Sequence, residues 1–138
     1  MRYDTILVPY DGSDGANRAV EHAFDLAQQY DATVHALFVV DTRSFGEPAL
    51  SSVELVVDEV EDEGHRLLDA VADRAEAQGV QFESLLRHGV PHDEVVARAT
   101  DIDADLVIMG FHGRTHDSRI GSVVERVVRD GGRPVLVA

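Results

Sequence analysis

Hydrophobic positions along the chain fall into two regimes. Short, nearly continuous apolar runs recur at Thr5-Ile6-Leu7-Val8, Thr33 to Val40, Leu106-Val107-Ile108-Met109 and Pro134 to Ala138. Each is bounded by turn residues, and its unbroken apolar character predicts a strand buried on both faces. Between them, apolar residues return every three or four positions. Ala16, Ala19, Val20, Ala23, Phe24 and Ala27 make one such stripe. Val53, Val56, Val57, Val60, Leu67, Leu68, Val71 and Ala75 make a second. Shorter stripes follow at Val95, Val96 and Ala99 and from Val123 to Val128. That spacing gathers them on one side of a helix.

Local signals set the boundaries. The first strand is expected over Tyr3 to Pro9, the turn over Tyr10 to Ser13, and Ser13 or Asp14 as cap of a helix ending near Tyr30-Asp31. Ser51-x-x-Glu54 reads as a capping box opening a long acidic helix to Gln78, which Gly79 ends. Val80 to Arg87 is less apolar and partly alternating, as an edge strand would be, and His88-Gly89 reads as a turn. Pro91, Asp93 and Glu94 suit the first turn of a third helix, and Asp101 to Asp105 reads as a loop. The last helix is expected to run to about Asp130, with Gly131-Gly132 turning into the fifth strand.

This strict alternation predicts one α/β domain over residues 1–138: an open, five-stranded parallel sheet with helices on both faces. Such sheets hold ligands beyond the carboxyl ends of their strands, where the strand order reverses. Three loops leave that edge: Pro9 to Ser13, Val40 to Thr42, and Gly110 to Ser122.

The third loop is the richest. The run DLVIMG stops at Gly110, Gly113 follows, and Gly121-Ser122 opens the next helical stripe. Glycines admit close backbone approach, and a helix start offers unpaired N–H groups to phosphate. The same glycines also suit an ordinary strand-to-helix turn, and the spacing alone does not choose between the two. His112, Arg114, His116 and Arg119 make the loop basic, and arginine forks onto phosphate oxygens. His112, His116 and Asp117 are metal ligands by type, but no HExxH pattern is present and no metal site is expected.

Charge narrows the function classes. Acidic residues number 26 against 12 basic ones, a formal net charge of −14, and every basic residue is arginine. A field of that sign repels nucleic acid and anionic membrane, so neither is expected as a partner. A lysine-free acidic surface suits a salt-rich cell interior. The absence of cysteine excludes disulfides and thiolate chemistry. No apolar run nears the roughly 20 residues of a membrane span, and MRYDTILVPYDGS lacks signal-peptide character, so a soluble cytoplasmic protein is expected.

The segments ILVPYDGS, FVVD, DADLVIMG and GSVVERVVRDGGRPVLVA resemble the universal stress protein family, and the resemblance covers essentially the whole chain. It implies a Rossmann-like sheet of strand order 3-2-1-4-5, akin to that of the adenine-nucleotide alpha hydrolases. Many members bind ATP through Gly, two residues, Gly, nine residues, then Gly-Ser or Gly-Thr. Gly110, Gly113 and Gly121-Ser122 match the fixed residues, while only seven residues, Arg114 to Ile120, fill the second gap. The resemblance implies that Asp11 faces ribose and phosphates, with Pro9 and Gly12 shaping that edge. It has Val40 meet adenine through its backbone and Met109 supply an apolar wall. Gly110, Gly113, Gly121 and Ser122 would contact phosphates, with Val123 nearby and His112 and Arg114 alongside. The residues themselves leave a second reading for Asp11, an Asx-turn ahead of the helix.

ATP, with or without Mg2+ or Mn2+, is thus the expected ligand, and a homodimer through the C-terminal strand the expected assembly, with protein partners unknown. No catalysis is expected. Asp11-Gly12-Ser13-Asp14-Gly15 does not fit the Ser-Gly-Gly-x-Asp-Ser loop of the related ATP pyrophosphatases, and no GxxxxGK[ST] loop exists. The competing readings are a dimeric interaction protein without ATP and a slow ATP hydrolase.

Overall fold

Period-two alternation along each strand sorts the apolar side chains into two cores, one on each face of a single sheet. The computed structural model describes residues 2–44, 50–111 and 121–138, and for residues 44 and 50–55 the backbone alone. Its elements run β1 (Thr5–Pro9), α1 (Asp14–Tyr30), β2 (Thr33–Asp41), a 3-10 turn (Thr42–Ser44), α2 (Leu50–Gln78), β3 (Gln81–Gly89), α3 (Pro91–Asp101), β4 (Leu106–Met109), α4 (Ser122–Asp130) and β5 (Val135–Val137). The strands are parallel in the order β3-β2-β1-β4-β5, as expected.

Ile6 and Val8 of β1, with Val34, Ala36, Phe38 and Val40 of β2, face α1 and α2, where they meet Val20, Phe24, Leu68 and Val71. Leu7, Leu37, Val107 and Met109 face the other way, against Val95 and Ala99 of α3 and Val124 and Val127 of α4. Burial of each large aliphatic side chain contributes about 1.5–3 kcal/mol, so both faces are needed to hold a sheet of this size.

Most element ends fall within a residue of expectation, and three differences bear on the architecture. β1 begins at Thr5 rather than Tyr3, because the Asp105 carboxylate takes the N–H groups of Asp4 at 2.8 Å and Thr5 at 3.0 Å. β3 continues through His88-Gly89, which do not turn; β2 runs on to Asp41, and its ladder carries the edge strand with it, Val40 beside His88 and Asp41 beside Gly89. Helix α2 starts at Leu50, so Ser51 lies within its first turn rather than ahead of it. The side chains of Ser51 and Glu54 lie outside the described residues.

Candidate functional site

A cleft of about 230 Å3 opens at the carboxyl ends of β1, β2 and β4, across the point where strand order reverses. Its apolar wall comes from Leu37 and Val39 of β2, Met109 of β4, Val95 of α3 and Val124 of α4. Its polar edge is the turn from Tyr10 to Ser13.

That turn is built by its own side chains. The Asp11 Oδ1 accepts the Ser13 N–H at 2.9 Å, the Asx-turn that the sequence allowed. Ser13 caps α1, its Oγ accepting the Ala16 N–H at 3.1 Å. Asp11 also lines the cleft, so the turn-setting and cleft-facing readings hold together. The Tyr10 hydroxyl donates to Asn17 Oδ1 at 2.7 Å. Burial pushes the Tyr10 phenol above its ordinary pKa, against the pull of Arg74 and with the help of Asp11.

The glycine segment enters from the opposite side. Gly110 packs so closely on the start of α1 that a Cβ there would stand 2.6 Å from the Gly15 carbonyl carbon. The Phe111 carbonyl accepts the Gly121 N–H at 2.9 Å, which closes the base of the segment. Helix α4 then begins with Gly121 as its cap residue, and among the described residues no cap side chain bonds its first N–H groups. Glu125 is the first to donate back within the helix, to Gly121 O at 3.0 Å. The contrast with α1 is chemical: Ser13 occupies a donor of that helix, whereas α4 offers the N–H groups of Ser122, Val123 and Val124 near the cleft.

Of the residues expected at the site, Pro9, Asp11, Met109, Gly110 and Val123 line this cleft. Gly12 lies behind the wall against Leu67, at φ +80, and shapes the turn from there. Gly121 and Ser122 sit at the helix start and do not line the cleft; Ser122 is exposed. His112, Gly113 and Arg114 lie outside the described residues, as do His116, Asp117 and Arg119 and the shortened gap itself. Val40, expected to act through its backbone at the strand end, has its side chain wholly buried on the α1–α2 face, and the Val39 side chain forms the cleft wall. A strand turns successive side chains to opposite faces, so one valine gives its side chain to the cleft and the next gives its side chain to the core.

Several wall residues escaped the sequence reading. Pro91 and Val95 belong to a helix distant in sequence from all three loops, and only the packing of α3 over Leu37 brings them in. Tyr10 and Ser13 lie within the first loop named and Val39 just ahead of the second, where turn chemistry and strand alternation are the signals that point to them. At the end of β2, Asp41 holds Arg43 in a two-point pair at 3.1 and 3.2 Å, and that hydrogen bonding keeps the Asp41 carboxyl below its ordinary pKa. Among the described residues no three His, Asp or Glu side chains are grouped to hold a metal ion, and no helix is long and apolar enough to cross a membrane.

The model of the universal stress protein family matches residues 2–138. A universal stress protein of Methanocaldococcus jannaschii, MJ0531, is 42% identical over 138 residues, covering 98% of this chain and 81% of its own. The solved structure of MJ0577, from the same organism, superposes with a TM-score of 0.86 at 30% identity, covering 100% of this chain and 96% of the other. A universal stress protein solved in complex with cAMP superposes with a TM-score of 0.75 at 26% identity, covering 100% and 98%.

Proposed function

The chain belongs to the universal stress protein family, and we propose on that premise that it is an adenine-nucleotide-binding module of stress response or signalling, with ATP as its ligand. The observation that carries the reading is the cleft itself. An apolar slot between Val39, Met109 and Val124 runs up to the start of α4, whose cap residue Gly121 has no side chain to bond the first N–H groups. The slot suits a purine, and the N–H groups at the start of α4 suit phosphate. A family member solved with cAMP supports the adenine class.

ATP brings a polyphosphate that a chain of net charge −14 repels, so its phosphates would need helix-start N–H groups or a bridging cation. Val39 and Met109 would hold the base away from water. The Asp11 carboxylate would bond ribose hydroxyls, or a Mg2+ or Mn2+ ion bridging to the phosphates, because bare carboxylate against phosphate is repulsive. Ser122, Val123 and Val124 would give N–H groups to phosphate oxygens. No described residue is placed as a matched nucleophile and base, and the proposal is a binding role in which occupancy biases conformation or partner choice.

Release of bound ligand tests this. Protein purified from its expression host is heat-denatured, and the supernatant is analysed for adenine nucleotide. Calorimetry with ATP, AMP and cAMP, with and without Mg2+, follows on stripped protein. Recovery of nucleotide or saturable binding supports the reading; neither would overturn it. A second reading, a dimeric protein without ATP, is favoured by the seven-residue gap from Arg114 to Ile120 and would be left standing by that result. Multiple-turnover phosphate release with Mg2+ or Mn2+ would instead mark a slow hydrolase.

Two further parts of the proposal concern assembly and habitat. Among the described residues β5 pairs only with β4, and Val137 is 37% and Phe111 38% exposed beside that edge. An apolar edge invites pairing, so a homodimer through β5 is proposed, read by sedimentation at high salt. Lysine-free acidity points to a salt-adapted source, for which loss of ellipticity in low-salt buffer is the check.

A further inference from the structure

Helix α2 reaches the Tyr10–Ser13 turn and the start of α1 from behind the cleft, through two residues two turns apart. The first is Leu67, which lies directly behind Gly12; a Cβ on that glycine would stand 3.0 Å from Leu67 Cδ1. Gly12 also holds φ +80, so turn and helix meet with no room for another side chain. The second is Arg74, whose Nη1 lies 3.4 Å from Asn17 Oδ1 and whose guanidinium sits over the Phe24 ring, 5.9 Å from its centroid.

Asn17 is the joint between them. The same Oδ1 accepts the Tyr10 hydroxyl at 2.7 Å, and the Asn17 backbone N–H donates to the Ser13 carbonyl at 2.9 Å. Both ends of the Tyr10–Ser13 turn are therefore tied to one residue, and Arg74 ties that residue to α2. Tyr10 is in turn fixed to β2, its N–H donating to Leu37 O at 2.8 Å. A turn held at this many points keeps Asp11 in place before any ligand arrives, which lowers the ordering cost of binding.

We propose that α2 regulates the cleft: Leu67, Arg74 and Asn17 are positioning residues that hold the Tyr10–Ser13 turn, and with it Asp11, so that seating of α2 and binding of nucleotide are coupled. The inference rests on the nucleotide reading of the cleft. Coupling of this kind is reciprocal: a partner that lifts α2 weakens nucleotide binding, and nucleotide holds α2 down by the same factor.

The test compares ATP binding by calorimetry in the full chain and in Arg74→Ala, Tyr10→Phe and Arg133→Ala. Amide exchange across α2 is followed with and without ATP. Arg133 pairs with Asp103 and the Ala104 carbonyl, away from the cleft, and serves as the control for simple loss of stability. Tyr10→Phe keeps the ring and removes only the hydroxyl, so the fold is retained. The expected result is roughly fivefold weaker ATP binding for Arg74→Ala and for Tyr10→Phe, the worth of about one hydrogen bond, and none for Arg133→Ala. ATP should slow exchange between Leu67 and Ala75 in the wild-type chain and lose that effect in Arg74→Ala. Unchanged affinity in both cleft-side variants, or α2 exchange indifferent to ATP in a wild-type chain that binds it, overturns the coupling alone. No ATP binding by the wild-type chain overturns the nucleotide reading and the coupling with it.

Discussion

Gly110 and Gly15 meet backbone to backbone: a Cβ on Gly110 would lie 2.6 Å from the Gly15 carbonyl carbon and 2.9 Å from the Ala16 nitrogen. The end of β4 and the first turn of α1 are thereby held in direct contact at the floor of the cleft. Those atoms are backbone and cannot rotate aside as a side-chain tip would. Gly110→Ala should therefore push α1 away from β4 at a cost of about 1–3 kcal/mol, read as a lowered urea midpoint. Since Ser13 and Asp11 move with α1, nucleotide affinity should fall as well. A variant with wild-type midpoint and affinity would show that the contact is not structural.

Val39 and Val40 are neighbours in β2 with opposite duties, one on the cleft wall and one at 0% exposure in the α1–α2 core. Val40→Ala should cost about 1.5–3 kcal/mol of stability by loss of buried methyl groups and the cavity left behind, with nucleotide affinity unchanged. Val39→Phe should fill the slot, lower affinity at least tenfold and leave the urea midpoint within about 1 kcal/mol of wild type. Calorimetry and denaturation on the two variants separate the roles. The reverse pattern would put the base on the other face of the strand.

That one-residue distinction marks what was legible in the sequence. Continuous apolar runs at Thr5 to Val8 and Leu106 to Met109 announce strands covered on both faces, and the helical stripes between them announce the covers. Parallel order and a cleft at the carboxyl edge follow from those alone. The family's strand order came with the resemblance and is the order observed. Less legible were contacts made by residues far apart in sequence. Asp105 meets the start of β1 by reaching across to Asp4 and Thr5, and α3 places Val95 on the cleft by packing over Leu37. Neither has a local signature. Asp11 was legible in chemistry but not in role, because the same carboxylate sets its turn and lines the cleft.

Gly64 sits inside α2, where alanine would ordinarily be favoured by about 1 kcal/mol. Here a Cβ would stand 2.7 Å from Phe38 Cδ1 and 2.9 Å from Leu86 Cδ1. Phe38 is buried in the core and has little freedom to yield. The clash should outweigh the propensity gain, and Gly64→Ala should lower the thermal midpoint. Any rise in midpoint would mean that the helix shifts outward freely at this position, which the seating of α2 on the sheet argues against.

His35 sets the pH dependence. It lies on β2, buried, and its Nδ1 has no hydrogen-bond partner; Glu83 Oε2 stands 3.3 Å away on an exposed side chain. Burial is the largest influence and holds the imidazole pKa below 6.5; Glu83 pulls the other way, and Arg98 of α3 adds to the lowering. The folded state therefore resists a proton that the unfolded chain accepts. Above about pH 6.5 both states are neutral at this residue and its full contribution to stability is present. As pH falls below that value, the unfolded state binds the proton first and stability declines, by at most about 1.4 kcal/mol per pH unit from one group. The decline ends once pH has passed the lowered folded value. Urea midpoints between pH 5 and 8 should drop on the acid side in the wild-type chain. His35→Leu removes the titrating group while keeping an apolar side chain in the core, so the difference between the two profiles isolates this residue from the many carboxylates. Parallel profiles would mean that His35 takes its proton in the folded state as readily as in the unfolded one, with Glu83 compensating in full for burial.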